Sequence, residues 1–388
     1  MEEFINDFLE KNNYTYYKIE NQESIKLIYD LYCHGIDGRD KSEIEDSAID
    51  LYFGHYYRIQ SNYELMMEYY LVAIEKGNNY AMNSLGLYYN KIKKDYDQMK
   101  KYYLMAIEKG SINATYNLGS YYQNIEKDYD QMKKYYLMAI EKNHLGTMNN
   151  LGIYYKEIEK DYDQMRKYYL MAIENDYDTS MYNYGLYYQD IEKDYDQMKK
   201  YYLMAIEKGN QWAMLNLGFH YDEIEKDYDQ MKKYYLMAIE KDHSGAMYNL
   251  GLHYDKVEKD YDQMKKYYLM AIEKGHTDAM DNLEKYYQQN NDTLGLLKLY
   301  IKINDVVKIS NLLIEYSNQT TLNEEITSIL LEYLNSFNDT ILPVSLKICK
   351  RLFNKQIDIL ETHFKYTENG LGFNEAKKDF YHLLSFCS

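Results

Sequence analysis

The chain has 388 residues, and its 45 Lys plus Arg against 62 Asp plus Glu give a formal net charge of −17. Such a surplus of acid argues against nucleic acid as a partner, because that binding rests on basic side chains that neutralise phosphates. With 52 tyrosines, 21 methionines, one proline and one tryptophan, the composition is far from that of an average globular domain and points to one duplicated element.

Residues 1–47 begin with acids where a secretory signal has a basic stretch, and no apolar run in the chain approaches the ~18 residues of a membrane span. The three cysteines, Cys33, Cys349 and Cys387, are too widely separated for a disulfide framework or a paired thiol motif. A cytoplasmic chain with no membrane association is expected. Helical stretches around Glu3–Lys11 and Ser24–Tyr32, then a polar stretch, read as a helical cap on the array that follows.

Over residues 48–290 the string Asp-Tyr-Asp-Gln-Met recurs from Asp95, Asp128, Asp161, Asp194, Asp227 and Asp260, each 33 residues after the last. An internal period of this size marks a stacked-repeat architecture. In the first half of each repeat, Ala81, Leu85, Tyr88 or Tyr89, and Ile92 recur at helical spacing and predict helix A with a buried stripe. In the second half, Asp95 is a good N-cap, Tyr96, Met99, Tyr103 and Ala106 form the stripe of helix B, and Gly110 stops it. The stop position holds Gly, Asn or Asp in every copy, residues that tolerate the left-handed backbone of a C-cap. Gly86 and its copies sit inside helix A at a cost of about 1 kcal/mol relative to alanine, which predicts close approach of helix B at Ala106. One pair cannot bury its tyrosines alone, so neighbours must stack. The fold class is all-α, an α-solenoid of tandem antiparallel helix pairs.

The pattern Ala-x-x-Asn-Leu-Gly-x-x-Tyr, then Asp with Tyr-Tyr-x-x-Ala-x-x-x-Gly, resembles the Sel-one-like repeat, a relative of the tetratricopeptide repeat, over about Leu51 to Tyr287. In that family a Gly-x-Gly-Val loop joins the two helices, whereas here Ile92-Lys93-Lys94 and its copies form a shorter link. The resemblance implies a non-enzymatic adaptor or scaffold that holds a protein partner, with helix A lining the concave wall. Tyr-, Asn-, Lys- and Ile-rich arrays of this kind also resemble repeat proteins of giant DNA viruses.

If helix A lines the wall, the residue before each Leu-Gly pair forms a row: Asn117, Asn150, Asn183, Asn216, Asn249 and Asn282. Repeats spaced by roughly 8–10 Å would meet about every third residue of an extended peptide rising ~3.3 Å per residue. Each amide offers a donor and an acceptor to a peptide backbone. Two readings stand: a peptide clamp, or residues copied by duplication that bond within the array. The neighbouring column varies between copies and supplies Tyr116, Tyr182 and Tyr248 as further contact residues. The lone Trp212 opens its helix A on the same side, either as an interface anchor or as filler between repeats. The paired basic residues of a carboxylate-binding groove are missing from these columns, and surplus acid favours basic or neutral partner segments.

His220 and His253 share a column and are followed by Asp222 and Asp255, a set that could hold zinc. The column is otherwise tyrosine, so a packed ring is the expected role, and no metal, cofactor or catalytic residue is assigned. Asp95 with Asp97 reads as capping and dipole complement, and Lys100-Lys101 as a solvated face balanced by Asp95, Asp97 and Glu108. Residues 291–388 turn to Leu and Ile, with helical spacing in Val306–Tyr316, Leu322–Leu334, Val344–Phe353 and Glu375–Phe386. They read as a helical cap or docking region. The alternatives to groove binding are a scaffold acting through its outer face or these last helices, and an enzyme built around His363 with Glu361 or His382 with Asp379.

Overall fold

The computed structural model describes residues 47–305 continuously, with 307–309, 311, 312 and 329 beyond them. The N-terminal cap before Ser47, the three cysteines, the carboxylate–histidine pairs near the C-terminus and nearly all of the C-terminal helices lie outside the described residues.

The A helices α1 (Ser47–Ile59), α3 (Asn79–Tyr88), α5 (Ile112–Tyr121), α7 (Leu145–Tyr154) and α9 (Asp178–Tyr187) alternate with the B helices α2 (Tyr63–Glu75), α4 (Tyr96–Glu108), α6 (Tyr129–Ile140), α8 (Tyr162–Ile173) and α10 (Tyr195–Glu207). These form one compact unit, which ends at Asn210. A second starts at Gln211 and holds α11 (Gln211–His220), α12 (Tyr228–Ile239), α13 (Ser244–His253), α14 (Tyr261–Glu273), α15 (Thr277–Gln289) and α16 (Thr293–Lys302). Among the described residues there is no strand. Within each compact unit the fold is an all-α stack of helix pairs of the α-solenoid kind.

Stacking buries what a single pair cannot. In the first unit Met66, Tyr70 and Ala73 of α2 share one core with Ala81 and Leu85 of α3 and Tyr102 of α4. The tyrosines pack as rings on rings: Tyr155 lies on Tyr168 with centroids 5.6 Å apart and planes within 4°, and Tyr254 lies on Tyr267 at 5.7 Å.

The caps follow the sequence. Asp161 accepts a hydrogen bond from the Gln164 amide at 3.0 Å, ahead of α8, and Asp163 adds negative charge to the first turn, where the helix dipole favours it. Helix B stops at left-handed residues, Gly110 with φ 84°, Asn143 with φ 59° and Asp176 with φ 62°.

The link between helices A and B departs from expectation. After Tyr88 the chain widens into a π-helical turn, Tyr89–Lys93, closed by Lys94 in the left-handed conformation at φ 56°. A turn of this width inserts an extra residue into the helical period, which rotates Ile92 out of the stripe. Ile92 is 54% exposed and Ile158 is 53% exposed, so the predicted burial at this column is wrong. Each of the described π-helical turns is closed by lysine, as at Lys160 with φ 56°, whereas the first and last A–B links use Ser61 and Asn291. Because a Cβ is disfavoured in that region, Lys160→Gly is expected to raise stability by about 1 kcal/mol. Denaturant unfolding measures this, and a loss of stability would mean that the lysine side chain is needed at the turn.

The repeated glycine of helix A does mark a close approach, but Ala106 is not the partner. A Cβ at Gly86 would lie 2.5 Å from Cδ1 of Tyr103, one turn earlier on helix B. The same clash recurs at Gly152 with Tyr169, at 2.6 Å. The glycine is the seat of a buried tyrosine ring.

Near the start of the array, burial pulls the His55 pKa down to about 3, with Arg58 adding repulsion. The ring accepts or donates a 2.8 Å bond with the Tyr70 hydroxyl. Between pH 6.5 and about 3 the unfolded chain binds a proton at this residue and the folded chain does not, so stability falls as pH drops through that window. His55→Phe is expected to flatten that slope in melting curves recorded across it.

Candidate protein-binding surface

Helix A supplies the face on which the sequence places partner contacts. In the first compact unit, Asn117 donates from Nδ2 to Oδ1 of Asn83 at 3.0 Å, one repeat earlier. Asn150 donates to the Tyr116 hydroxyl at 3.1 Å, and Asn183 to Oδ1 of Asn149 at 2.9 Å. In the second unit Asn249 reaches the Tyr235 hydroxyl at 3.5 Å, and Asn282 lies 3.4 Å from the hydroxyls of Tyr248 and Tyr268. Asn216 is likewise half-buried on α11. Asn117, Asn150, Asn183 and Asn282 therefore stitch successive A helices, whereas Asn249 reaches the preceding B helix. One amide hydrogen of Asn117 and of Asn183 is engaged, which leaves the second hydrogen and the carbonyl lone pairs; Asn282 gives its donors to two hydroxyls.

The tyrosines of the neighbouring column are half-buried as well. Tyr116 stacks on His144 at 5.0 Å, Tyr182 on Tyr202 at 5.8 Å, and Tyr248 on His276 at 4.5 Å. His144 also caps α7, accepting from the Thr147 amide at 3.1 Å, so the turn histidines serve the turn and brace a ring. Trp212 stands apart from these: it is 51% exposed and meets His243 edge-on at 4.6 Å.

The histidine column behaves as a ring substitution. Tyr154 donates to Oε1 of Glu159 at 2.6 Å, and the buried His220 and His253 take the equivalent place beside Glu225 at 3.0 Å and Glu258 at 3.1 Å. His253 also lies 3.4 Å from Oδ1 of Asp222. Burial raises the Asp222 pKa, and His253 opposes the shift. Among the described residues no group of three or more His, Cys, Asp or Glu could hold a metal ion.

Lys100 does not balance the acids on its own helix. It pairs with Glu126 in the next repeat, Lys133 pairs with Glu159 at 2.9 Å, and Arg166 with Glu192 at 3.0 Å. Bonds from Lys100 and Tyr121 hold the Glu126 carboxyl below its usual range. The basic dipeptide is thus half solvated and half an inter-repeat clamp. Sequence reasoning missed it because its partner is 26 residues away.

Among the described residues no helix is long and apolar enough to cross a membrane. No family model and no curated protein matches the chain. Among solved structures it is similar to a Sel1 repeat protein from Oxalobacter formigenes, at 24% identity over 57% of this chain and 98% of that one, with a TM-score of 0.46. The c5321 protective antigen of uropathogenic Escherichia coli, which displays an SLR fold, matches at 17% identity over 99% and 93% of the two chains, TM-score 0.45. The human IFIT1 dimer with PPP-AAAA matches at 16% identity over 75% and 81%, TM-score 0.44. Likeness at this level bears on neither partner nor binding surface.

Proposed function

We propose that the chain is a non-enzymatic adaptor that binds an extended segment of another protein along its helix A faces. The observation that supports this is the asparagine row. Asn117 and Asn183 are each fixed by one bond between repeats, yet keep a donor hydrogen and acceptor lone pairs at half-exposed positions. Binding groups ordered in advance lose little conformational freedom when a partner arrives. Each added hydrogen bond contributes about 0.5–1.5 kcal/mol, so several in a row supply a few kcal/mol of the roughly 8 kcal/mol that micromolar affinity needs.

The test is affinity capture with mass spectrometry, comparing the intact chain with a variant carrying Asn117→Ala, Asn150→Ala and Asn183→Ala. Both proteins are first matched for helicity and melting. A client bound by the intact chain and lost by the variant is the expected result. A client retained equally would move binding off the asparagine row.

A further inference from the structure

The helix A face of the second compact unit differs from the other copies at one place. Trp212 and Phe219 are each 51% exposed, and the half-buried Leu215 lies between them. At spacings of three and four residues these three side chains lie along one side of α11. In the first unit the column of Phe219 holds Leu87, Ser120, Ile153 and Leu186, all half-buried. On the adjacent α13 the column of Trp212 holds Gly245, so no side chain from there covers the stripe. His243 packs edge-on against Trp212, and burial lowers its pKa.

Acid stands at the far side of the same face. Tyr248 of α13 contacts His276 and Asn282 at α15, which places α15 next in line. There the columns of Trp212 and Leu215 hold Asp278 and Asp281, both exposed. The remaining charges on the face are Glu223, paired with Lys226 at 3.3 Å, Lys256, paired with Asp255 at 2.7 Å, and the exposed Lys285 in the column of Phe219.

We propose that this face docks a short basic–apolar segment of a partner protein. Bulky apolar side chains cover Trp212, Leu215 and Phe219, and Lys or Arg residues reach Asp278 and Asp281. Two helix spacings of ~8–10 Å each, divided by ~3.3 Å per residue of extended chain, place the basic residues about five or six positions from the apolar anchor. Charge complementarity selects this occupant. A second copy of a chain with net charge −17 brings more acid, and nucleic acid and anionic lipid are repelled by the same two aspartates. The assignment rests on the protein-binding reading of the helix A face and names the kind of segment it takes.

Trp212 is the chain's single tryptophan, so its emission reports on this stripe alone. The intact chain is titrated with tryptophan-free peptides of about ten residues, enough to span the face. One carries Leu-Phe and, at that spacing, Lys-Lys; a second has Glu-Glu for Lys-Lys; a third has Ala-Ala for Leu-Phe. The first is expected to give a saturable blue shift and the other two none. Asp278→Asn with Asp281→Asn, or Phe219→Ala alone, should weaken binding of the first peptide about tenfold. The aspartate effect should vanish at high salt.

Equal binding of the Lys and Glu peptides, or no emission change with any peptide, would overturn the proposal. So would a blue shift that follows protein concentration alone, accompanied by dimers in sedimentation, since the occupant would then be a second copy. If the asparagine variant loses its clients while the peptides fail, only this segment assignment falls. If clients also survive the asparagine changes, the reading of the whole face falls with it.

Discussion

Gly152→Ala is expected to destabilise the first compact unit by about 1–2 kcal/mol, although alanine is the better helix former. The new methyl would sit 2.6 Å from Cδ1 and Cε1 of Tyr169, whose side chain is only 1% exposed and has no room to swing aside. Overpacking of this kind costs typically 1–3 kcal/mol or somewhat more, against about 1 kcal/mol recovered from helix propensity. Thermal and denaturant unfolding of the variant should show the loss. Combining it with Tyr169→Leu should show coupling, the double variant losing less than the sum of the two single losses. A neutral or stabilising Gly152→Ala would remove the packing explanation for a glycine that every A helix from α1 to α13 carries and that Glu284 replaces in α15.

His253→Phe is expected to cost about 2 kcal/mol, near the value of hydrogen bonds to charged groups. The imidazole is buried, bonds to Glu258 at 3.1 Å and lies 3.4 Å from Asp222. Phenylalanine fills the space but leaves Asp222, which burial already pushes toward its neutral form, without the imidazole nitrogen that lies against it. The raised carboxyl sets the pH sign. Above the ordinary carboxylate range of about 3.8 the folded state holds the Asp222 proton more tightly than the unfolded chain does, so this residue's contribution to stability declines as pH rises through its folded pKa. Asp222→Asn should remove that decline and partly rescue His253→Phe. Melting the two single variants and the double variant across that range measures both effects, and strict additivity would mean that the pair does not interact.

The repeat, its two helices and their ends were all legible from residue type and spacing. A 33-residue period, an aspartate before an amphipathic stretch and a residue tolerant of positive φ after it are local signals, and the structure places Asp161 and Gly110 accordingly. The burial of Ile92 was misread because helical periodicity was carried through a turn that is wider than an α-helix. The seat of Gly86 was assigned one turn too far along helix B, since spacing alone does not tell a small residue at a crossing from a ring that fills the gap.

The face itself was half visible. Side chains that stitch neighbouring repeats lie far apart in sequence, as Asn117 and Asn83 do, and duplication makes every copied residue look equally selected. Trp212 and the column of Leu215 were detectable because they differ between copies. Phe219 in its own column and Asp278 in that of Trp212 carried the same signal, but their exposure depends on how α11, α13 and α15 line up, which no single-helix pattern reports.

The clamp between repeats also makes the array modular in length. Lys100 meets Glu126 and Lys133 meets Glu159 at one constant offset. Excising residues 101–133 would join Lys100 to Lys134 and set it opposite Glu159, so the clamp keeps its offset while α3 comes to stack on α7 and Asn150 faces Asn83 in place of Tyr116. Recombination between copies can add or remove whole repeats with this clamp intact. Each step alters the helix A face by roughly 8–10 Å, so under the proposed segment-binding role copy number would set the length of segment that the face spans.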